Sequence, residues 1–443
     1  MPVSGAPWWK TDYVVRRATF TGSRRLLRGL LRTLAFAILV AACSSSKIPS
    51  GSSRTTATPQ TASAPTTMSP QSSTTTNPLT ADQLTNIAFF SPTSGYGLFT
   101  RQGQVTCQAV VGSTSDGGAV FGSLTMVTSW PCASSVSVSV LAFDDHGDGF
   151  AYGPDLFVTH DSGASWTQVP QPGQVLSVEA SGSSVWMVEA GCSPSTGPQT
   201  ACPMQLLGSA DGGRSWDPVT IPSNATLNNG FGAIAAQTWL IRLSPTSAYL
   251  ASNPQLVGQT VPPTAPLWYT DDGGRSWSVR QVSCGFSAMT DAISVTSDGT
   301  LVAVCAGESS AGSQAKSAVR STNGGVTWTP TFRCVQTSSA IASSCMANPP
   351  LSSGYLGEID AVTANAVFLV GARSSLLVTH NGGESWMTVE PLIGDDSDGT
   401  RQVVFFNSSD GVVLGYDANN DDAATLWTTT DGGMSWHSEV PAG

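Results

Sequence analysis

The sequence has little charge and few histidines. Asp, Glu, Lys and Arg make up 11 % of its 443 residues, and four histidines are present. Outside the N-terminus it also lacks long runs with the 3.6-residue apolar period of amphipathic helices. Gly, Ser and Thr are abundant instead, which fits short strands joined by glycine turns better than salt-bridged helices. The sequence therefore predicts an all-β protein.

Positive charge is concentrated at the N-terminus. Residues 1–42 contain seven basic residues and one acid, whereas the remainder contains 12 basic and 29 acidic residues, a net charge of −17. A body of this charge repels phosphate backbones, so we expect no nucleic-acid partner.

The basic N-terminal segment leads into nine apolar residues, 34–42, which precede Cys43. Nine residues are too few to span a bilayer, which needs about 20 in a helix. A basic start, a short apolar core and small residues before a cleavage point are typical of a signal peptide, here residues 1–42. The tetrapeptide VAAC ending at Cys43 resembles the bacterial lipobox, which implies cleavage before Cys43 and its diacylation.

This resemblance predicts export and lipid anchoring at the outer face of a bacterial cytoplasmic membrane or cell envelope. An arginine pair in SRRLLR, residues 23–28, leaves the Sec and twin-arginine routes both open. Residues 43–82 are mostly Ser, Thr, Pro and Ala, with little to bury, and are predicted to form a disordered linker. Residues 83–443 remain for the folded domain.

One eight-residue phrase occurs six times in that domain. Its copies end at tryptophans spaced 50, 61, 51, 58 and 50 residues apart, and a degenerate copy, TSDGGAVF, ends at Phe121. Apolar alternating runs precede each phrase and a short strand follows it, which predicts four strands per unit. Seven such units predict a seven-bladed β-propeller of four-stranded antiparallel blades, whose closed ring removes most sheet edges.

The phrase has the chemistry of a hairpin turn. Asp or Asn at its third position can accept hydrogen bonds from nearby backbone, Gly at the fifth permits positive φ, and Trp at the eighth supplies an apolar plate between sheets. The three positions are Asp161, Gly163 and Trp166; Asp211, Gly213 and Trp216; Asp272, Gly274 and Trp277; Asn323, Gly325 and Trp328; Asn381, Gly383 and Trp386; Asp431, Gly433 and Trp436; and, in the degenerate copy, Asp116, Gly118 and Phe121.

These phrases resemble the Asp-box, or BNR repeat, Ser/Thr-x-Asp-x-Gly-x-Thr/Ser-Trp. The resemblance covers about residues 84–443 and extends to sialidases, sortilin-like receptors, xyloglucanases and photosystem II assembly/stability factors. In character the chain is most similar to the last group, several of which are lipoproteins. The resemblance implies a β-propeller whose boxes lie at the periphery, away from the ligand face, and serve structure.

Eight cysteines follow Cys43, an even number that suggests disulfides in an exported protein. We expect pairing between sequence neighbours, although sequence alone leaves the connectivity open. Zinc is the less favoured alternative because there is no C-x-x-C pair and histidine is rare. The candidate couples are Cys107 and Cys132, Cys192 and Cys202, Cys284 and Cys305, and Cys334 and Cys345.

Catalytic signatures are sparse. A sialidase resemblance would require an arginine trio, a Tyr–Glu pair and an Arg-Ile-Pro phrase; the phrase is absent, and Arg101 lies in the unrelated LFTRQGQ. Arg242, Arg320 and Arg373 are the remaining candidates for a central mouth. No Gly-x-Ser-x-Gly elbow occurs. Acidic residues are plentiful, so a carboxylate pair of glucanase type stays open.

Acidic loops admit a calcium interpretation. The best candidate is Asp417, Asn419 and Asp421 in the loop of residues 417–422, whereas residues 144–149 and 395–400 fit ordinary Asp-Gly turns. We expect no other cofactor and no other metal.

Three long insertions, residues 191–203, 251–266 and 334–355, are candidates for a partner site. We therefore expect a non-enzymatic binding or assembly module with a protein or glycan partner at the cell envelope. The alternative is a cell-surface glycoside hydrolase of sialidase or glucanase type. The oligomeric state stays open.

Overall fold

The computed structural model describes residues 82–134, 137–144, 146–190, 201–222, 226–228, 238–252, 264–284, 289–310, 313–334, 336–337, 340–341, 355–372, 374–389, 400–417 and 423–441. The predicted signal peptide, the lipidation site Cys43 and the linker through residue 81 lie outside these residues. None of the described residues forms a helix with the length and apolarity that a membrane crossing requires.

Seven antiparallel blades of four strands follow one another along the chain. Within each blade the strands lie side by side in chain order, so one uninterrupted stretch of sequence builds one blade. Blades 1 to 3 are β1 (Gln83–Phe89), β2 (Gly95–Gln102), β3 (Thr106–Thr114) and β4 (Thr125–Pro131); β5 (Val140–Phe143), β6 (Gly149–Tyr152), β7 (Leu156–Thr159) and β8 (Thr167–Gln168); β9 (Gln174–Ser181), β10 (Ser184–Ala190), β11 (Ala201–Ser209) and β12 (Asp217–Val219).

Two short additions accompany blades 3 and 5. β13 (Thr226–Asn228) pairs with the start of β11, and β22 (Gln336–Thr337) pairs with β23 (Ala340–Ile341) after blade 5.

Blades 4 to 7 are β14 (Thr238–Arg242), β15 (Ala248–Ser252), β16 (Thr264–Thr270) and β17 (Ser278–Ser283); β18 (Met289–Val295), β19 (Leu301–Ser310), β20 (Ser313–Ser321) and β21 (Thr329–Cys334); β24 (Tyr355–Ala361), β25 (Val367–Ala372), β26 (Ser374–Thr379) and β27 (Met387–Val389); β28 (Thr400–Phe405), β29 (Gly411–Asp417), β30 (Ala423–Thr429) and β31 (His437–Glu439).

The first strands of the blades form a closed circle. β1 contacts β5, β5 contacts β9, and the series continues through β14, β18, β24 and β28, which returns to β1. The prediction of a seven-bladed β-propeller is confirmed.

Burial follows position within a blade. Middle strands such as β6 and β7 are buried at every residue, because neighbouring blades cover both of their faces. Outer strands such as β12 and β31 are mostly exposed. Continuous apolar runs in the sequence therefore mark the middle strands.

A hydrophobic cluster fills each of the seven junctions between neighbouring blades. Between blades 7 and 1, for example, Leu84 and Phe99 pack with Val412 and Leu426. The last residue of each box lies in the junction with the preceding blade. In order of blades 1 to 7 these residues are Phe121, Trp166, Trp216, Trp277, Trp328, Trp386 and Trp436.

A glutamine side chain bridges the junction where the ring closes. Gln402 of β28 is 2 % exposed, and its amide both accepts from the Ile87 N–H and donates to the Ile87 carbonyl, at 2.9 Å each. Among the described strands, none is shared by blades 7 and 1. Side-chain packing and this pair of hydrogen bonds join the two blades where the ring closes.

The antiparallel meander sorts the connections onto two faces. We call the box face the one that carries the turns between first and second strands and between third and fourth strands. We call the loop face the opposite one, which carries the connections between second and third strands and between blades. All seven Asp-box phrases, including the degenerate copy, join third to fourth strands and so lie on the box face.

Candidate functional site

The Asp-box carboxylates are engaged within their own turns. In the second blade, Asp161 Oδ1 accepts from the Thr159 hydroxyl at 2.7 Å and from the Ser165 N–H at 2.8 Å, while Oδ2 accepts from the Ser165 hydroxyl at 2.6 Å. The Thr159 hydroxyl in turn accepts from the Gly163 N–H at 3.0 Å. These hydrogen bonds, the Ser165 hydroxyl first, lower the pKa of Asp161 to about 2. The carboxylate holds the turn together.

The same turn forms where the box carries asparagine. Asn323 Oδ1 accepts from the Thr327 N–H at 2.9 Å and Nδ2 donates to the Thr327 hydroxyl at 2.8 Å; Asn381 and Ser385 repeat the arrangement. In the degenerate copy, Asp116 accepts from the Thr114 hydroxyl at 2.8 Å. Because the neutral amides of Asn323 and Asn381 replace the carboxylate in two copies, the geometry of the turn requires hydrogen bonding rather than negative charge.

The fifth-position glycines have φ between 79° and 95°, a range that L-residues avoid. The fourth position is also left-handed, and Ser162 occupies it with φ of 60° where the other copies have glycine. The N–H at this position donates to the first hairpin turn of its own blade in blades 1, 2, 3, 4, 6 and 7, for example from Gly432 to the Ser409 carbonyl at 2.8 Å. Each of these boxes thus ties the two hairpins of a blade together.

The histidines are dispersed over the box face and an outer strand. His160 Nδ1 lies 2.9 Å from Asp148 Oδ1, His146 lies 3.8 Å from Asp144, and His437 lies 2.8 Å from Glu439. His380 occupies the second position of the sixth box. Within the described ranges, no three His, Cys, Asp or Glu side chains are grouped as metal ligands. The calcium candidates Asn419 and Asp421, and the side chain of Asp417, lie outside those ranges.

The candidate arginines do not converge. Arg101, on β2, makes a bidentate ion pair with Asp82 at 2.7 Å. Arg242, on β14, is 3 % exposed, and its guanidinium lies 4.1 Å from the Trp186 ring. Burial lowers the pKa of Arg242 to about 10. Arg320 lies beside Gly382 on the box face, and Arg373 lies outside the described residues.

Polar side chains on the first strands join neighbouring blades around the axis. Asp360 Oδ2 accepts from the Phe405 N–H at 2.7 Å, and Glu358 accepts from the Val403 N–H at 3.3 Å. Asn86 accepts from the Leu141 N–H at 2.9 Å. Sequence reasoning missed these residues. The signal available was a polar residue within the apolar strand that opens each unit, as in LTNIAF and GEIDA.

A buried tyrosine is associated with two of the first-strand carboxylates. Tyr152 is 1 % exposed, and burial together with the charges of Glu179 and Glu358 raises the pKa of its phenol. The Tyr152 ring belongs to the hydrophobic cluster that fills the junction between blades 2 and 3.

Two of the predicted cysteine couples form disulfides, and both border the loop face. Cys107 and Cys132 join the third strand of blade 1 to the end of its fourth. Cys284, after the last strand of blade 4, joins Cys305 in the second strand of blade 5, so this bond spans two blades. The other two couples lie outside the described side chains.

The long insertions also connect strand ends on the loop face. Residues 191–203 fall between β10 and β11, residues 251–266 between β15 and β16, and residues 334–355 between blades 5 and 6. None of these three stretches contains Asp, Glu, Lys or Arg. Apart from their strand residues, they lie outside the described part of the chain.

Comparison with known proteins recovers the same architecture. A PL25 ulvan lyase bound to -[GlcA(1-4)Rha3S]- matches with a TM-score of 0.50 and 9 % identity over 80 % of this chain and 95 % of that one. This lyase is a BNR-like β-propeller. YCF48 bound to D1 peptide matches at 0.48 with 19 % identity over 76 % and 91 %, and an ancestral GH74 enzyme at 0.48 with 13 % identity over 82 % and 47 %. No family profile and no curated protein matches the sequence.

These similarities concern the fold of the BNR-like propeller. At 9 % identity, the similarity to the lyase shows the fold alone. Function must therefore be argued from the surfaces of this chain.

Proposed function

We propose that this propeller is a non-enzymatic binding or assembly module of an exported, lipid-anchored protein, and that its loop face binds a protein partner. The observation that carries the proposal is the separation of tasks between the two faces. On the box face, turns tie together the two hairpins of six of the seven blades, whereas both described disulfides and the strand ends that flank all three long insertions lie at the loop face.

Cross-linking of strand ends favours binding at that face. A disulfide that fixes the ends of a loop reduces the conformational entropy that a partner would otherwise have to remove. The insertions lack charged residues, so burying them against a partner would cost less than burying charged side chains. An exported chain with 12 basic and 29 acidic residues, a net charge of −17, and with neutral insertions suits a partner recognised by shape and hydrogen bonding.

The described carboxylates support a hydrolase less than they support a binding module. Glu358 and Asp360 accept backbone hydrogen bonds from blade 7, and the box aspartates are engaged in their turns. A retaining or inverting pair needs two carboxyl groups free to reach substrate and water.

A matched pair of surface variants tests the assignment of the face. Val105, 76 % exposed between β2 and β3, lies on the loop face; Val326, 58 % exposed, lies in a box. The full chain would be used to capture partners from detergent-solubilised membranes of the source cell. We expect saturable binding that Val105→Asp, or a Gly-Ser replacement of residues 254–262, weakens and Val326→Asp leaves unchanged. Loss with Val326→Asp alone would refute the assignment, and turnover on a glycan panel would refute the non-enzymatic role.

Anchoring needs a separate test. We expect the wild-type chain in the membrane fraction with a diacylated N-terminal Cys43 by mass spectrometry, and Cys43→Ala in the soluble exported fraction. An unmodified Cys43 in a processed chain would contradict the lipoprotein proposal without bearing on the binding face.

A further inference from the structure

A pocket of about 230 Å³ lies between the last strand of blade 6 and the box of blade 7. Its lining residues are His380, Met387, Thr388, Val389, Gly432, Gly433 and Met434. Three of them carry metal-binding atoms other than oxygen: one imidazole and two thioethers. Both methionines are accessible, Met387 at 47 % and Met434 at 73 % exposed.

His380 differs from the other box-face histidines in having no polar partner. His160 is bonded to Asp148, whereas among the described residues the His380 imidazole makes no hydrogen bond or ion pair. Its ring packs edge to face against Phe368, at 6.4 Å and 85°. A Cβ at Gly432 would come within 3.2 Å of His380 Cε1 and 3.9 Å of Nε2, so glycine at this position leaves that edge of the imidazole uncovered.

The donor set favours a soft metal ion over a small organic ligand, whose pockets are usually about 300–1,000 Å³. Thioethers select soft metals such as Cu(I), and imidazole suits copper as well. No carboxylate lines the pocket, which disfavours Ca²⁺ and Mg²⁺. Three neutral donors also match a monovalent cation better than a divalent one, because no ligand charge offsets the metal.

We propose that His380, Met387 and Met434 form a binding site for Cu(I), with Nε2 and the two Sδ atoms as ligands. This site lies on the box face and is therefore independent of the partner surface proposed above for the loop face. Binding needs no bond cleavage and no electron transfer, since Cu(I) enters as the reduced ion. An apolar side chain of another protein is the competing occupant.

Titration of the full chain in detergent with Ag(I), a redox-inert substitute for Cu(I), would test the site directly. With methyl-¹³C methionine, we expect the Met387 and Met434 methyl resonances to shift and saturate at one equivalent. Met126, 56 % exposed on blade 1, is the matched methionine outside the pocket and should stay unchanged. Equal shifts at all exposed methionines, or no shift, would overturn the proposal, and the latter would favour the apolar occupant.

Affinity for Cu(I) would be measured anaerobically by competition with a chromophoric chelator, with ascorbate as reductant. His380→Ala and Met434→Leu should each lower it at least about tenfold, the loss that even outer-sphere changes around metals produce. Met126→Leu should not. The three residues are exposed, so unchanged melting temperatures are expected. A Met434→Leu protein that folds and keeps wild-type affinity would refute the site, and Met387→Leu provides the second variant.

Discussion

Removing the Gln402 side chain should weaken the ring at the junction between blades 7 and 1. Gln402→Ala deletes two 2.9 Å hydrogen bonds to Ile87, which is fully buried. A typical hydrogen bond contributes about 1 kcal/mol net, and a buried group left unpaired costs about 1–3 kcal/mol. Because both the N–H and the carbonyl of Ile87 are left unpaired, we expect the free energy of unfolding to fall by about 2–6 kcal/mol.

Urea denaturation followed by circular dichroism measures this loss, and hydrogen exchange of the peptide containing Ile87 locates it. Asn86→Ala removes one hydrogen bond, to Leu141, and should cost less, about 1–3 kcal/mol. Gln168→Ala, at an exposed position of β8, is the control. A Gln402→Ala change below about 0.5 kcal/mol, the usual size of a surface substitution, with unaltered exchange at Ile87 would refute the role of this bridge in closure.

Four further predictions concern stability. Burial raises the pKa of Glu189. The charged carboxylate therefore destabilises the folded state at pH values above that pKa, and this cost vanishes below the ordinary value of 4.5. Glu189→Gln should raise the melting temperature at pH 7.5 but not at pH 4. Hydrogen bonds lower the pKa of Asp431 to about 2. The stabilisation of the folded state by this carboxylate is therefore present above pH 3.8 and lost as the pH falls through 2. Asp431→Asn should make stability less dependent on pH over that interval in acid denaturation. Replacing Cys284 and Cys305 by serine opens a link of 21 residues and should cost roughly 3 kcal/mol in denaturant. Ser162→Gly relieves a φ of 60° and should stabilise by up to about 1 kcal/mol, measured calorimetrically.

The blade count and the box turns could be predicted because their chemistry is local. Thr159, Asp161, Gly163 and Ser165 meet within seven residues of chain, so the phrase alone contains donor, acceptor and left-handed turn. The spacing of the phrases then determines how many blades the chain can build.

The contacts that join the blades could not be predicted in the same way. Gln402 meets Ile87 across 315 residues, and the local sequence around either residue contains no sign of the other. Arg242, interpreted from sequence as a candidate for the mouth, is buried against Trp186, because the side chain of a first strand can turn toward the neighbouring blade as well as toward the axis. Cysteine order suggested neighbours, but not that Cys284 and Cys305 belong to different blades.

The indole at the end of each full box also serves as an internal chromophore. Six junctions contain such a tryptophan, whereas the described cluster between blades 7 and 1 has Phe89, Phe99 and Phe121 and no indole. Intrinsic emission therefore reports on every junction except the one where the circle closes, and opening that seam alone would be optically silent. Phe121→Trp would make it visible.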